Sequence, residues 1–209
     1  RAERAARHAP PPGSPLAPLR ALFLGRLDAQ KGLDRLAAII AAAGGPAVTW
    51  RVLGRAVMAD GPALLPGFAV EPPVRAAEDL DALYAWADVL VLPSRFEGVP
   101  LVVLEAQRMG CVPLATDVGA LGEAVAHGED GLLVPGTLPE EAIIAGFVDA
   151  LRALAADRAR LLALGERAAA RAGALEWDVT MRPWLDRLDA LVPLPGAEAA
   201  PVQARPAAA

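Results

Sequence analysis

Short apolar runs recur along this chain, most closed by glycine or proline and most followed by residues at helical spacing. Ala21-Leu22-Phe23-Leu24 ends at Gly25-Arg26-Leu27, and Leu33, Leu36, Ile39 and Ile40 then mark a helix that stops at Gly44-Gly45. Val48 to Leu53 ends at Gly54, Val89-Leu90-Val91-Leu92 ends at Pro93, and Val112 to Ala115 and Gly131 to Val134 repeat the pattern. Gly67-Phe68-Ala69-Val70 is a weaker run, expected as a third strand, while Gly61-Pro62 leaves Ala56 to Leu65 ambiguous. Runs that are apolar at every residue are strands covered on both faces. Such strands alternating with helices, joined by right-handed crossovers, give an α/β fold: a Rossmann-like, doubly wound parallel sheet. Helices are expected at Asp79 to Trp86, Pro100 to Met109 and Gly119 to Ala126. Extra C-terminal helices are expected at about 139–155, 158–172 and 179–191.

Ligands of doubly wound sheets bind at the carboxyl ends of the strands. The polar, glycine-bearing segments fall there: Gly25-Arg26, Gly54, Ser94 to Gly98 and Thr116-Asp117. The stretch Ser94 to Glu105 is the most informative. Pro100 suits a first helical position, where no N–H is needed. The free N–H groups of the first turn and the helix dipole then make an anion site. Glu97 before the helix and Glu105 inside it would flank that anion without occupying it. Carboxylates accept hydrogen bonds from sugar hydroxyls, so phosphate plus sugar is the natural ligand.

Arg26 and Lys31 bracket the turn after the first strand. A planar fork of donors and a point charge both suit a diphosphate; they read equally as solvated loop charges. Glu97 likewise reads as a solvated loop residue. Glu105, between Leu101-Val102-Val103-Leu104 and Ala106, is expected to be largely buried and so to need a ligand or an internal partner. Ser94 is expected to cap the backbone, Arg95 to lie on the surface, and Asp117 to serve as a turn or helix cap. Cys111 reads as a small buried residue. His8 and His127 stand alone, so no metal site is expected.

Composition excludes several classes. The chain has 209 residues, 55% hydrophobic, with a net charge of −5. No basic stripe marks a nucleic-acid surface. One cysteine cannot form an intramolecular disulfide, which favours a reducing, cytoplasmic setting. No apolar run is long enough to cross a bilayer, and no hydrophobic core follows the basic N-terminus as in a secretory signal. The G-x-G-x-x-G fingerprint, the P-loop and the G-x-S-x-G elbow are all missing. Residues 1–18, with Pro10-Pro11-Pro12-Gly13-Ser14-Pro15, read as a linker, 19–192 as the folded domain and 193–209 as a disordered tail rich in alanine and proline. The chain does not begin with methionine and reads as a fragment, its linker joining a preceding domain.

Phe23-Leu24-Gly25-Arg26-Leu27 followed by Gln30-Lys31-Gly32-Leu33-Asp34 resembles the "GRL…KG" motif of family 4 retaining glycosyltransferases. Pro93-Ser94, Glu97-Gly98-Val99-Pro100 and Glu105-Ala106 resemble their E-x7-E motif. Met109 to Pro113, Asp117-Val118-Gly119-Ala120, Glu123, Gly128 and Gly131 to Val134 continue the likeness, which covers about 21–155. It implies one half of a GT-B architecture, the C-terminal domain that holds a nucleotide diphosphate sugar donor. By this resemblance Arg26 and Lys31 contact the diphosphate, Glu105 the ribose and Glu97, the catalytic candidate, the donor sugar. Backbone N–H groups near Gly98, Val99 and Leu101 meet phosphate or sugar. Pro100 departs from the family's glycine–aromatic–glycine and lacks an N–H. Glu176-Trp177-Asp178 and the helix after it resemble the terminal element that crosses back to the first domain.

The resemblance implies hexosyl transfer with retention, with no cofactor or metal. The partners implied are the donor and an N-terminal acceptor-binding domain. Membrane association is expected only through a lipid acceptor or that other domain. The isolated chain is expected to be inactive. A non-catalytic nucleotide-sugar-binding module and a GT-B epimerase or phosphorylase are the competing readings.

Overall fold

A computed structural model describes residues 6–8, 16–56, 65, 67–175 and 177–191. The chain divides into two compact units, Arg1–Gly173 and Ala174–Ala209. The division falls inside the span 19–192 expected as one domain. The expected tail, 193–209, lies outside the described residues.

The strands are β1 (Leu19–Leu27), β2 (Val48–Ala56), β3 (Val70–Glu71), β4 (Val89–Leu92), β5 (Val112–Asp117) and β6 (Leu132–Pro135). The helices are α1 (Leu33–Ala42), α2 (Ala77–Trp86), α3 (Leu101–Arg108), α4 (Leu121–Ala124), α5 (Glu140–Ala156), α6 (Arg158–Gly173) and α7 (Trp177–Leu191). All strand pairs are parallel, in the order β3-β2-β1-β4-β5-β6. Successive residues of each strand enter opposite layers. Phe23, Val89 and Val91 pack with Phe147, Leu151 and Leu161 of α5 and α6. Leu22, Leu90 and Leu92 pack with Tyr84 of α2 and Val103 of α3. Helices on both faces are why these strands carry no polar alternation. α7 forms most of the described part of the second unit, with Trp184, Leu185 and Leu188 exposed and Pro183 inside the helix.

Several boundaries differ from the sequence reading. β1 and β2 run on in register through Gly25↔Gly54, Arg26↔Arg55 and Leu27↔Ala56, so Arg26 is part of a strand. That close pairing needs glycine, because a Cβ at Gly54 would overlap the Gly25 carbonyl oxygen. β3 begins at Val70 rather than Gly67; Gly67 has a left-handed φ of 77° and the Phe68 N–H turns back to the Leu65 carbonyl at 3.3 Å. Most of the ambiguous stretch before it, 57–64, lies outside the described residues. α4 is confined to Leu121–Ala124 because Gly119 has φ 59° and Val125 is extended. β6 starts at Leu132, after a bridge between His127 and Gly131.

The winding direction reverses between β1 and β4, and a crevice opens there at the strand ends. Two glycines hold the β4–α3 loop at this crevice. Gly32 (φ 69°) ends the 3-10 turn Ala29–Lys31, and a Cβ there would overlap the Pro93 carbonyl oxygen. Gly119 approaches from the β5 side, and its Cβ would overlap the Glu97 carbonyl oxygen. Arg35, buried in α1, donates to the Pro93 and Ser94 carbonyls at 3.3 Å and to both Glu140 oxygens at 2.7 and 2.6 Å.

The opposite end of the sheet is tied by Asp88, which is fully buried. Its N–H donates to the Arg20 carbonyl at 2.8 Å, its Oδ2 accepts from the Arg20 N–H at 2.9 Å, and its carbonyl accepts from the Val112 N–H at 2.9 Å. Residues 6–8, inside the expected linker, form a helical turn. There Arg7 donates to the Asp88 carboxylate and His8 Nε2 lies 2.9 Å from Oδ1, so His8 is not isolated. Burial pushes the Asp88 carboxyl up, but hydrogen bonds from His8 and Arg20 and the charges of His8 and Arg7 hold it below the usual carboxylate range. Its stabilising contribution is therefore present above about pH 3.9 and lost as pH falls through the lower folded value.

Two effects on stability are expected. Gly119→Ala and Gly32→Ala should each destabilise by about 2 kcal/mol or more, through left-handed strain plus displacement of the loop. Gly128→Ala, with φ 80° and nothing within 4 Å, should lose only about 1 kcal/mol. Equal losses at all three positions, measured by urea unfolding, would remove loop packing as the reason for glycine. Asp88→Asn should destabilise by about 3 kcal/mol at neutral pH. Its stability should also vary less than the wild type's between about pH 5 and about pH 3; parallel curves would show that Asp88 is not a source of acid sensitivity.

Candidate functional site

The crevice holds an open hollow of about 370 Å³. Six of the seven site residues expected from sequence line it: Arg26, Lys31, Glu97, Gly98, Val99 and Leu101. Each arrives by a separate local rule. Arg26 is the penultimate residue of β1, exposed, with Nη2 donating to Gln30 Oε1 at 3.2 Å and Nε 3.4 Å from Asp28 Oδ2. Lys31 closes the 3-10 turn, which Asp28 caps by accepting the Lys31 N–H at 3.0 Å. Gly98, Val99 and Leu101 line the approach to α3.

The start of α3 differs by one position from expectation. Pro100 is the N-cap, in extended conformation, and Leu101 is the first helical residue. The Pro100 carbonyl accepts the Val103 N–H at 3.0 Å, and no side chain caps the helix. The N–H groups of the first turn, on Leu101 and Val102, therefore have no intrahelical acceptor, and both residues line the hollow. A Cβ at Gly98 would meet nothing within 4 Å, so the protein's own packing does not demand glycine there.

Glu97 is not a solvated loop residue. It is 6% exposed, and its Oε1 accepts from Lys31 Nζ at 2.6 Å and from Ser94 Oγ at 2.7 Å. Ser94 does not cap the backbone as expected; its hydroxyl is directed to this carboxylate from a fully buried position. The loop that carries both is braced further: the Arg95 N–H donates to the Gln30 carbonyl at 2.8 Å, and Gln30 Nε2 to the Phe96 carbonyl at 3.4 Å. The Arg95 side chain pairs with both Asp34 oxygens at 2.7 and 2.8 Å, and it does not line the hollow. The Arg95 hydrogen bond holds the Asp34 carboxyl below its usual range. Arg35 does the same for Glu140.

Glu105 stands apart from the hollow, half-buried one turn into α3. The Tyr84 hydroxyl donates to its Oε2 at 2.7 Å, the internal partner that the sequence left as an alternative to a ligand. Burial and the Glu105 carboxylate push the tyrosine hydroxyl well up, so it stays a donor. Asp117 ends β5 exposed and does not cap α4, whose N-cap is Ala120 with no side-chain bond. His127 Nδ1 accepts the Leu133 N–H at 2.9 Å, and Cys111 is buried. Among the described residues no group of three His, Cys, Asp or Glu gathers, and no helix is long and apolar enough to cross a membrane.

Sequence reasoning missed the supporting roles of three residues. Arg35 carried a signal, one helical turn beyond Lys31 on a helix starting at the crevice. Ser94 also carried one, three residues before Glu97 in the same short loop. Tyr84 carried none, because its pairing with Glu105 joins two helices that only the folded sheet brings together.

Residues 18–157 match the family model described as glycosyl transferases group 1. The chain is 36% identical over 133 residues to a D-inositol 3-phosphate glycosyltransferase of Corynebacterium urealyticum, covering 64% of this chain and 30% of that protein. It is 42% identical over 121 residues to the protein of that name from Pseudarthrobacter chlorophenolicus, covering 58% and 27%. The chain thus spans less than a third of the length of these relatives. Sucrose-phosphate synthase from Thermosynechococcus elongatus superposes with a TM-score of 0.69 at 28% identity, over 86% of this chain and 47% of that one. Anabaena HepE in complex with UDP-glucose shares the fold, with a TM-score of 0.67 at 22% identity over 85% of this chain and 50% of that one. With two thirds of its length inside the family model and an all-parallel sheet shared with GT-B structures, this chain belongs to the glycosyl transferases group 1 family.

Proposed function

We propose that this chain is the donor-binding half of a retaining hexosyltransferase, with the hollow as its nucleotide diphosphate sugar site. One observation carries the reading: Arg26, Lys31, the uncapped start of α3 and the Glu97 carboxylate all border one hollow at the β1/β4 switch point. Two cations and a helix N-terminus suit a diphosphate. A carboxylate beside them suits the hydroxyls of the attached sugar. The gap left by the missing Cβ of Gly98 fits close approach by a ligand. HepE was solved with UDP-glucose, which agrees with a ligand of this class.

In the reaction so read, the bond from the sugar's anomeric carbon to the diphosphate oxygen breaks, and the bonding pair leaves with the diphosphate. Arg26, Lys31 and the first-turn N–H groups of α3 stand where that negative charge grows. Groups fixed in place before the reaction stabilise developing charge without reorganising. The acceptor's hydroxyl oxygen then bonds the same carbon, on the face the diphosphate left, and its proton passes to the departing diphosphate oxygen. Metal and cofactor are not required in this reading. Retention rests on the resemblance of the E-x7-E stretch. The acceptor site belongs to an N-terminal domain, so this chain alone binds donor without turning it over. A cytoplasmic setting fits its lone buried cysteine.

Thermal-shift screening against UDP-, GDP- and ADP-sugars should find one class that raises the melting midpoint, since a ligand of the folded state stabilises by mass action. No shift with any of them at millimolar concentration would contradict the donor reading. Arg26→Ala should leave the midpoint of the free protein unchanged, because its side chain is 49% exposed, yet weaken nucleoside diphosphate binding about tenfold. Gly98→Ala should also fold normally and lose affinity. Glu105→Ala tests the ribose contact: intact fold with unchanged affinity would leave Glu105 as a partner of Tyr84 only.

A further inference from the structure

We propose that Ser94 is a positioning residue that holds Glu97 toward a hydroxyl of the donor sugar once the diphosphate has drawn Lys31 away. The proposal rests on the hollow being the donor site. Both donors to Glu97 converge on one oxygen, Oε1: Lys31 Nζ at 2.6 Å and Ser94 Oγ at 2.7 Å. Among the described residues the other oxygen, Oε2, has no protein donor, and it is not one of the fully enclosed unpartnered atoms. It is the oxygen left for a ligand hydroxyl.

The two donors are not equivalent. Lys31 borders the hollow, and lysine carries its charge as a point ammonium on a flexible four-carbon stem. A diphosphate entering the hollow competes with Glu97 for that charge. Without a second donor, the carboxylate would lose its anchor at the moment the sugar arrives. Ser94 does not border the hollow, so no ligand competes for it. It is fully buried two residues after β4, and its carbonyl is held by Arg35 at 3.3 Å. Its hydroxyl therefore keeps Oε1 in place whatever Lys31 does, and Oε2 stays presented to the sugar.

The test is the ratio of two affinities in the 209-residue chain, by calorimetry with UDP and UDP-glucose, or the GDP–GDP-mannose or ADP–ADP-glucose pair if that is the one the wild type binds. Ser94→Ala should weaken the nucleotide sugar about tenfold while changing the nucleoside diphosphate less than about twofold. Ser94→Thr, which keeps the hydroxyl, should recover most of the difference. Should Ser94→Ala not fold, Ser94→Cys keeps the volume with a weaker donor and carries the same comparison. A purely structural role would weaken both ligands alike; that result, or no loss for either, overturns the proposal. A wild-type chain that binds neither member of any pair overturns the donor-site reading first, and this proposal with it.

Discussion

The site depends on how the β4–α3 loop is held. A helix N-terminus and a buried carboxylate are useful only if fixed relative to the cations of β1 and its turn. Close backbone approach fixes them here. Gly32 presses on Pro93 from one side and Gly119 on Glu97 from the other, so close that neither position has room for a Cβ. Arg35 then binds the two carbonyls that begin the loop and is itself neutralised by Glu140. The loop has little freedom to relax, and that is what allows its serine and glutamate to meet the lysine of the β1 turn at hydrogen-bond distance.

The parallel sheet supplies the reason these segments meet at all. β1 and β4 are adjacent in space but separated in sequence by two strands and two helices. Their carboxyl ends open side by side because the winding direction reverses between them. Burial on both faces makes β4 and the middle of β1 apolar, so the polar chemistry of the crevice gathers at the strand ends and in the loops beyond them. Asp88 performs the matching task at the other end, joining the starts of β1, β4 and β5 through its own backbone and carboxylate. Family membership agrees with this layout, and the layout itself is a consequence of strand order and loop packing.

The fold was legible because uniformly apolar runs and helical spacing are local signals. Strand ends were less legible: the extension of β1 to Arg26 and Leu27 comes from pairing with β2 across two glycines, which a single segment does not reveal. That Arg26, Lys31, Glu97 and the start of α3 come together at one hollow was readable from their places at strand ends. The state of Glu97 was not. Its carboxylate is held by Ser94 in its own loop and Lys31 in another. Likewise the partner of Glu105 is Tyr84 on a different helix, visible only after packing. The role of His8 was hidden for the same reason, because Asp88 lies 80 residues away in sequence.

The most direct test of the central claim, that the helix opening at Leu101 and the cations of β1 and its turn cradle one diphosphate, is a backbone amide NMR titration with the nucleoside diphosphate that the chain binds. The account predicts that the largest shifts fall on the N–H groups of Leu101, Val102, Gly98, Arg26 and Lys31, saturating together. Shifts centred on other strand ends, with Leu101 and Val102 unmoved at saturation, would contradict it.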